Sequence, residues 1–331
     1  MPPEQDQTQT PCLSISDSAI DRAADLLREG GLVAFPTETV YGLGGDACNA
    51  EAVAAIFAAK GRPRFNPLIS HVSATGDAFG LGIETPVAAA LAKAFWPGPM
   101  TLILERAENC PIARLTSAGL DRIALRVPAH PAANRLLRCF GGPIAAPSAN
   151  PSGRISPSRA AHVMAGLEGR IGMVLDGGRC DSGVESTVID CTGEAARVLR
   201  PGGITRAQLD DCLAAAALPR AERSPTATTE TPVSPGQLAS HYAPDAALRV
   251  NVTSASPGME LIGFGRVQGA GKLALCLSPS GDLAEAAANL FDMLHAADAT
   301  GAAVIGVAPV PETGLGEAIN DRLRRAAAPR D

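Results

Sequence analysis

The sequence predicts an α/β protein with a mixed, twisted, open sheet, followed by a linker and a smaller α/β unit. Short apolar runs typical of buried strands alternate with helical patterns, but the alternation is not strict, which favours a mixed sheet over a regular barrel. Several runs end in polar or glycine residues, at "PTET", "PSAN", "DGG" and "RPGG". Open α/β sheets bind ligands at the carboxyl ends of their strands, so these endings are candidate ligand contacts.

The first unit begins with a helix and a strand. "DSAIDRAADLLREGG" spaces Ile20, Ala24 and Leu27 at helical intervals, and "LVAF" is typical of a buried strand. Asn49 is a candidate N-cap for a second helix that stops at Gly61. We predict further strands at "PLISHV", "MTLILE", "RIALRV", "GPIAAP", "GMVLDG", "ESTVIDC" and "ARVLR", with helices at "PAANRLLRCF", "PSRAAHVMAGL" and "TRAQLDDCLAAAA".

A segment rich in Pro, Thr and Ser, "LPRAERSPTATTETPVSP", has no apolar periodicity and is typical of a linker. Beyond it we predict strands at "ALRVNV", "MELIGFG", "KLALCL" and "AVIGVAPV", and helices at "DLAEAAANLFDMLHAADA" and "GLGEAINDRLRRAAA". The predicted organisation is a polar leader (1–15), a first domain (16–217), a linker (218–244) and a small Rossmann-like domain (245–331).

Composition restricts the class of protein. The 331 residues carry a formal net charge of -6, which argues against a surface that binds polyanions throughout, although a local basic groove is compatible with it. The eight cysteines form no C-x-x-C pair, so neither a zinc ribbon nor a thioredoxin-type site is encoded. No signal peptide or membrane-spanning run is visible, and we expect a cytoplasmic protein with no membrane partner.

Common nucleotide-binding and hydrolase motifs are missing from the sequence. "GFGRVQGAGK" lacks the first glycine of a P-loop, and "GLGGDA" fails the dinucleotide spacing. There is no G-x-S-x-G elbow or H-E-x-x-H pair. A nucleotide, if bound, therefore needs a different kind of site.

Cations lie at several predicted element ends. Lys60 and Arg62 lie in "KGRPRFNP", where they would also suit the negative end of a helix dipole. Arg126 and Arg200 end two strands, and "PSAN" ends a third. Cations and hydroxyls that converge from separate strand ends would suit a phosphate-bearing ligand.

The hydroxyl and histidine side chains have two interpretations each. Thr37 and Thr39 of "PTET" would commonly make local turns. His71, on an apolar strand, is more often a core histidine than a base, whereas Ser186 in "VESTVID" would face a cavity. No Ser/His/Asp or Cys/His set is legible, so no covalent nucleophile is predicted.

Taken together, these motifs resemble the Sua5/YrdC/YciO family. The resemblance is carried by "VAFPTETVYGLG", "KGRPRFNPLISHV", "FWPGPMTLIL", "LRVPAHP", "PIAAPSANPSGRISPS", "DGG", "GVESTVID" and "VLRPGGIT", in that order. It covers about Ser16 to Pro244, and "SPGQLASHYAP" resembles the start of the second domain of the longer Sua5 type. It implies a YrdC-like sheet with a large cavity, a linker over the active site, and a Sua5 C-terminal domain.

The resemblance implies an L-threonylcarbamoyladenylate synthase, a nucleotidyltransferase. Such enzymes convert L-threonine, bicarbonate or CO2, and ATP with Mg2+ into threonylcarbamoyl-AMP and diphosphate, for the t6A modification of tRNA. The implied partners are a downstream threonylcarbamoyl transferase complex and tRNA itself. The family pattern departs at Gln237 and Leu238, where a methionine and a lysine are usual.

Carried over residue by residue, the family pattern divides the site in two. The L-threonine set is Thr37, Thr39, His71, Arg126, Ala146 and Ser186. The ATP set is Lys60, Arg62, Asn66, Arg122, Ser148, Asn150, Ser156, Arg200 and Tyr242. Lys60 and Arg62 would stabilise charge during the reaction, and no metal ligand is assigned.

Two alternatives share the fold. A non-catalytic factor that binds double-stranded RNA or tRNA would need a concentrated positive surface, which the acidic net charge makes less favourable. A carbamoyltransferase of the hydrogenase-maturation type would need zinc-finger and acylphosphatase segments, and the sequence has no cysteine pairs for the former.

Overall fold

The computed structural model describes residues 9–223 and 240–329. Residues 1–8 of the predicted leader, residues 224–239 of the predicted linker with Gln237 and Leu238, and residues 330 and 331 lie outside the described residues. All later statements about the structure concern the described ranges.

A large mixed sheet dominates the first part of the chain. Its strands are β1 (Cys12–Ser14), β2 (Val33–Phe35), β3 (Gly42–Asp46), β4 (Ile69–His71), β5 (Met100–Glu105), β6 (Arg122–Arg126), β7 (Ile144–Ala145), β8 (Met173–Asp176), β9 (Thr187–Asp190), β10 (Arg197–Arg200) and β11 (Glu222–Arg223). Their order across the sheet is β1-β8-β2-β3-β7-β4-β6-β5-β9-β10-β11. The sheet contains parallel pairs such as β4 with β6 and antiparallel pairs such as β5 with β6, which confirms the predicted mixed sheet.

Helices pack against this sheet. They are α1 (Asp17–Arg28), α2 (Ala50–Lys60), α3 (Thr75–Leu81), α4 (Pro86–Phe95), a 3-10 turn (Arg114–Ser117), α5 (Pro131–Phe140), α6 (Ala160–Leu167) and α7 (Arg206–Ala215). The predicted N-cap of α2 is confirmed, because the Asn49 side chain accepts hydrogen bonds from two backbone N–H groups, and Gly61 ends the helix at φ 61°. Helices α3 and α4 and strands β1 and β11 were not predicted, and β1 lies within the predicted leader.

The glycine-rich stretch after Tyr41 forms strand β3 rather than only a turn. A side chain at Gly44 would lie 2.8 Å from the Phe35 ring and 2.9 Å from Ile144. Only glycine allows β2, β3 and β7 to approach so closely. The same close approach brings the residues before β3 next to those after β7.

A second, smaller sheet lies in the C-terminal part. Strands β12 (Ala247–Arg249), β13 (Met259–Ile262) and β14 (Val304–Val307) are parallel in the order β12-β14-β13, with helices α8 (Leu283–Asp298) and α9 (Gly316–Ala327). The strand predicted at "KLALCL" is wrong. Lys272 and Leu273 are exposed, Ala274 has φ 47°, and Cys276 makes only an isolated bridge to Gly263. The segment therefore forms no strand, although Leu277 at its end is buried.

The described helices carry no candidate membrane span, since none combines sufficient length with a continuous apolar stretch. All eight cysteines are free. Helix α8 packs against the first part of the chain, since Asp292 forms an ion pair with Arg159 at 2.8 Å. The contact is also apolar, because Val40, Ile155 and Val184 belong to the same buried cluster as Phe291 of α8.

The "RPGG" segment after β10 packs closely on the "VEST" segment before β9, and this packing can be tested at Gly202. A methyl group there would lie 2.4 Å from the backbone of Glu185, Ser186 and Thr187. We expect Gly202→Ala to lower the free energy of unfolding by about 1–3 kcal/mol because the backbone must shift. Urea unfolding followed by circular dichroism would measure this loss.

Gly76→Ala is the matched control. Gly76 lies in α3 with no atom within 4 Å of the added methyl group, so the change should leave stability equal or raise it by up to about 1 kcal/mol. Equal stability of the two variants would contradict the close approach of the "RPGG" and "VEST" segments.

Candidate functional site

One cavity lies at the strand ends of the large sheet. It is formed by the segments that follow β2 and β7, by the ends of β4, β6 and β10, and by the residues before β9. His241 and Tyr242, which precede the small sheet, complete its wall. The cavity has a volume of about 550 Å³, part of it open to solvent. The predicted placement of polar residues at strand ends therefore brings them to one site.

The two threonines of "PTET" are both buried, but their hydroxyls have different hydrogen-bond partners. Thr37 Oγ1 donates to the Val40 carbonyl at 2.7 Å and accepts from the Thr39 N–H, so it closes a local turn. Thr39 Oγ1 lies 2.8 Å from Thr37 Oγ1 and accepts from Arg126 Nη1 at 3.0 Å. Thr39 is therefore the threonine that joins the turn to the cationic part of the cavity.

Arg126 extends from the end of β6 and is 4% exposed. Its guanidinium pairs with Glu38 at 2.7 Å and donates to the Gly98 carbonyl at 3.3 Å. The guanidinium is thus held on three sides by Glu38, Gly98 and Thr39. A fixed planar cation of this kind suits a carboxylate ligand.

Ser186 and Arg200 also line the cavity, and they contact each other. Arg200 donates to the Ser186 carbonyl at 2.9 Å and to Ser186 Oγ at 3.2 Å. Ser186 Oγ also lies 2.7 Å from Thr101 Oγ1. Burial lowers the pKa of Arg200 from its usual value, although a lowered arginine pKa still leaves it charged at neutral pH.

His71 faces the cavity as a neutral side chain. Burial, and then the nearby Arg126 cation, lower the pKa of His71 to about 3. Its Nδ1 has no hydrogen-bond partner among the described residues. The cavity therefore offers an uncharged imidazole beside Arg126.

Lys60 and Arg62 come from the end of α2 and are bound by backbone carbonyls alone in the described contacts. Lys60 Nζ donates to the carbonyls of Ser148, at 2.6 Å, and Asn150. Arg62 donates to the carbonyls of Asn66 and Pro67 at 3.2 and 3.0 Å. Burial lowers the pKa of Arg62 to about 10, and burial together with Arg62 lowers that of Lys60 well below its usual value. An anion would relieve this buried repulsion.

Two buried amides nearby have polar atoms without partners. Asn66 is fully buried, and neither its Oδ1 nor its Nδ2 has a hydrogen-bond partner among the described residues; the same holds for Asn150 Oδ1. Unpaired buried polar atoms are costly. They are expected where a polar ligand supplies the missing hydrogen bonds.

Tyr242 links the cavity to the C-terminal helices. It adopts φ 66°, which is uncommon for a non-glycine residue, and its ring lies 5.8 Å from that of Phe291 in α8. Arg322 of α9 lies 5.6 Å from the Tyr242 ring centroid and pairs with Glu185 at 2.9 Å. Although burial opposes ionisation of Glu185, Arg322, Arg200 and Ser156 hold its pKa below the usual value.

Comparison with known proteins assigns the family. A model for the Sua5, YciO and YrdC proteins, described as "Telomere recombination", matches residues 25–202, and a model described as "Threonylcarbamoyl-AMP synthase, C-terminal domain" matches residues 204–328. The chain belongs to the Sua5/YrdC/YciO family. The second match places it with the two-domain Sua5 members, as the sequence motifs predicted.

The Sua5-type relatives match along nearly their whole length. A Bacillus subtilis protein named threonylcarbamoyl-AMP synthase is 40% identical, over 96% of this chain and 95% of that protein. A Pyrococcus abyssi protein of the same name is 42% identical, over 95% of each. The crystal structure of Pyrococcus abyssi Sua5 complexed with L-threonine superposes with a TM-score of 0.86 at 38% identity, covering 96% of this chain and 97% of that one.

Most residues of the family pattern lie at the cavity. Those that line it are Thr37, Thr39, Arg62, His71, Arg126, Ala146, Ser148, Ser186, Arg200 and Tyr242. Another four each form a hydrogen bond with a lining residue, namely Lys60, Asn66, Asn150 and Ser156. The predicted ligand roles of all these residues remain predictions, because the structure shows their positions only.

Arg122 is the member of the family pattern that the structure does not bring to the cavity. It lies at the other end of β6 from Arg126, opposite Glu105 in the ladder. Its side chain is 45% exposed and pairs with Asp190 at 3.3 Å. Since strand residues rise by about 3.3 Å each, four positions separate the two arginines by about 13 Å.

Four ionisable residues at or beside the cavity were not assigned from the sequence, namely Glu38, Glu185, His241 and Arg322. Glu38 and Glu185 directly neighbour Thr37 and Ser186 in the sequence, so they could have been assigned to the site by that proximity. His241 precedes Tyr242 in the same way. Arg322 carried no sequence signal, because it contacts Glu185 across 137 residues of chain.

The cavity carboxylates do not form a resident metal site. Glu38 pairs with Arg126, and Glu185 pairs with Arg322. Within residues 9–223 and 240–329, no group of three or more His, Cys, Asp or Glu residues has the arrangement of a metal site.

The buried neutral His71 predicts a pH-dependent stability. Its pKa is about 3 when folded and about 6.5 in the unfolded chain, so below pH 6.5 only the unfolded state takes up this proton. Stability should fall as the pH falls from 7 towards 4, with this group contributing up to about 1.4 kcal/mol per pH unit. His71→Gln should reduce that slope, as measured by urea unfolding at pH 7, 6 and 5.

Ile69→Val on the same strand is the control. It removes a methyl group beside the cavity and adds no titrating group, so it should keep the slope of the unaltered protein. A slope in His71→Gln equal to that of Ile69→Val would show that His71 titrates alike in both states.

Proposed function

We propose that the protein is an L-threonylcarbamoyladenylate synthase, a nucleotidyltransferase that makes threonylcarbamoyl-AMP and diphosphate from L-threonine, bicarbonate or CO2, and ATP. The observation that carries the proposal is a single cavity with two chemically different ends. One end holds a fixed guanidinium with hydroxyls, and the other holds buried cations with unpaired amides. The names of the Sua5-type relatives support the same activity.

The amino-acid end is built around Arg126. Its guanidinium would bind the threonine carboxylate, and the Thr39 and Ser186 hydroxyls would contact the substrate hydroxyl. Thr37 would act through the turn, since its hydroxyl is already bonded to Val40. The L-threonine complex of Pyrococcus abyssi Sua5, which shares this fold at 38% identity, supports this end of the proposal.

The nucleotide end is built around Lys60, Arg62 and Arg200. These cations would balance the triphosphate, while Ser148 and the Asn66 and Asn150 amides would donate or accept at the nucleotide. Tyr242 would close the site from the C-terminal side. Mg2+ would accompany ATP and neutralise part of the phosphate charge.

The reaction needs positioning more than a protein nucleophile. The threonine amine forms a bond to the CO2 carbon, a C–O π bond opens onto oxygen, and the amine proton passes to solvent, which gives a carbamate. A carbamate oxygen then forms a bond to the α-phosphorus, and the bond from that phosphorus to the bridging oxygen breaks, so diphosphate leaves with its electron pair. Buried cations that face the developing charge would lower this barrier.

The product fits an intracellular role in tRNA modification. Threonylcarbamoyl-AMP is a mixed anhydride, and a transferase complex that consumes it to form t6A on tRNA would be the downstream partner. We place the reaction in the cytoplasm, where ATP and reduced thiols are available, which suits the free cysteines. Direct tRNA binding would be a separate property.

The activity is tested by incubating the protein with ATP, Mg2+, bicarbonate and L-threonine and measuring diphosphate and the adenylate. We expect diphosphate release that requires both threonine and bicarbonate. Release that is independent of either would exclude the proposed reaction. Tight, steeply salt-dependent tRNA binding without adenylate would instead favour the RNA-binding alternative.

Arg62 and Arg64 provide a matched pair for the nucleotide end. Arg62 is 8% exposed and lines the cavity, whereas Arg64 is exposed two residues later. Arg62→Met should lower kcat/KM for ATP about a hundredfold, because a buried cation at the phosphates is lost. Arg64→Met should stay close to the unaltered protein, and equal losses would contradict the assignment.

Thr39 is tested in the same way at the amino-acid end. Thr39→Val keeps the shape but removes the hydroxyl, so the KM for threonine should rise about tenfold. Thr116→Val is the control, because that buried hydroxyl bonds only the Ala47 carbonyl, away from the cavity. Steady-state kinetics at saturating ATP would separate the two variants, and a rise in both would indicate a general effect of losing a buried hydroxyl.

A further inference from the structure

Arg322 is a fully buried arginine that belongs to the last described helix. It lies in α9 and has 0% of its side chain exposed. Arginine is almost never fully buried without charged partners, so its surroundings require an explanation. None of the residues that the family resemblance assigns to a ligand comes from α9.

The contacts of Arg322 join separate parts of the cavity wall. Nε donates to Glu185 Oε2 at 2.9 Å, before β9, and Nη1 donates to the Pro201 carbonyl at 2.6 Å, after β10. Nη1 also donates to the neighbouring Asp321 carboxylate at 3.0 Å, within α9. Its guanidinium carbon lies 5.6 Å from the centre of the Tyr242 ring. One side chain thus holds the "VEST" segment, the "RPGG" segment and the 240–244 segment.

Glu185 connects Arg322 to residues at the nucleotide end of the cavity. Its other oxygen, Oε1, accepts from Ser156 Oγ at 2.6 Å, and the carbonyl of the same Ser156 lies 3.1 Å from His295 Nε2 of α8. Both Glu185 and Arg200 line the cavity. Ser156, Arg200 and Tyr242, three members of the predicted ATP set, are therefore adjacent to the Arg322–Glu185 pair.

The Arg322–Glu185 ion pair is better suited to fixing the positions of the cavity-wall segments than to stabilising the fold. Removing two charges from water costs about as much as their attraction returns, so buried ion pairs contribute little net stability. A guanidinium that donates in fixed directions does, however, define where its acceptors lie. In its absence, Glu185 would lose its charged partner, and the Pro201 carbonyl and the Tyr242 ring would lose the contact that holds them in place.

We propose that Arg322 is a positioning residue for the ATP end of the cavity, acting through Glu185, Pro201 and Tyr242, and that the C-terminal domain contributes to ATP affinity by this route. The inference rests on the proposed function, because the ligand it concerns is the ATP of that reaction. L-threonine binding, centred on Arg126, should depend on Arg322 much less.

The test measures the dissociation constants of a non-hydrolysable ATP analogue and of L-threonine by calorimetry, with the full-length protein. We expect Arg322→Met to weaken analogue binding about tenfold and threonine binding less than twofold. Arg324→Met is the control, since Arg324 lies on the same helix in an exposed pair with Glu312 and should change neither constant.

A double variant separates positioning from folding. Arg322→Met removes the cation beside the buried Glu185 carboxylate and lowers stability. Arg322→Met with Glu185→Gln removes both charges of that pair and should recover most of the melting temperature, since Asp321 keeps its pair with Arg325. If Arg322 positions the ATP end, the double variant still binds the analogue about tenfold more weakly. Recovery of analogue affinity together with stability would overturn the proposal, as would equal weakening of both ligands.

The outcome is independent of the activity assay. Adenylate formation by the unaltered protein tests the proposed function, whereas the ratio of analogue constants tests Arg322. A protein that binds the analogue and loses affinity in Arg322→Met, yet makes no adenylate, would refute the function while supporting the role of Arg322.

Discussion

The positive charge buried in the cavity is the constraint on which the rest of the structure depends. Lys60, Arg62, Arg126 and Arg200 converge on one site, and none is more than 8% exposed. Each buried ion costs several kcal/mol, so the fold must provide partners for it. Backbone carbonyls surround Lys60 and Arg62, while Glu38 neutralises Arg126. The anionic ligand that we propose would offset the remaining positive charge.

The sheet is arranged so that this convergence is possible. Strand β3 consists largely of glycine, which lets β2 and β7 approach from both sides, and Gly202 lets one strand-end loop lie directly on another. The cations come from α2, β6 and β10, which are far apart in sequence. Close backbone packing at these glycines therefore allows the cations to be buried together in one cavity.

The sequence predicted most helices and strands because their signals are local. The cap at Asn49, the apolar periodicity of α1 and the apolar runs at β5 and β6 depend only on neighbouring residues. Strand β3 was missed because glycine carries no strand signal, and "KLALCL" was misassigned because its pattern says nothing about whether a sheet will cover it.

The site residues could likewise be predicted only where the signal is local. Residues inside motifs could be grouped by resemblance, but their neighbours could not, because contacts such as Arg322 with Glu185 connect distant parts of the chain. The exposed position of Arg122, near Asp190, likewise depends on the direction in which β6 crosses the sheet. Which threonine contacts Arg126 also required coordinates, since both lie in the same four-residue segment.

The position of α9 has a consequence for synthesis of the chain. It is the last described element to be translated, yet it holds three segments of the cavity wall through Arg322. The large sheet can form while the ribosome is still adding the C-terminal helices, because its strands pair among themselves. Its cavity, however, stays unfinished until α9 has been synthesised and has docked, so a nascent chain would carry the cations of the site before it has the geometry to use them.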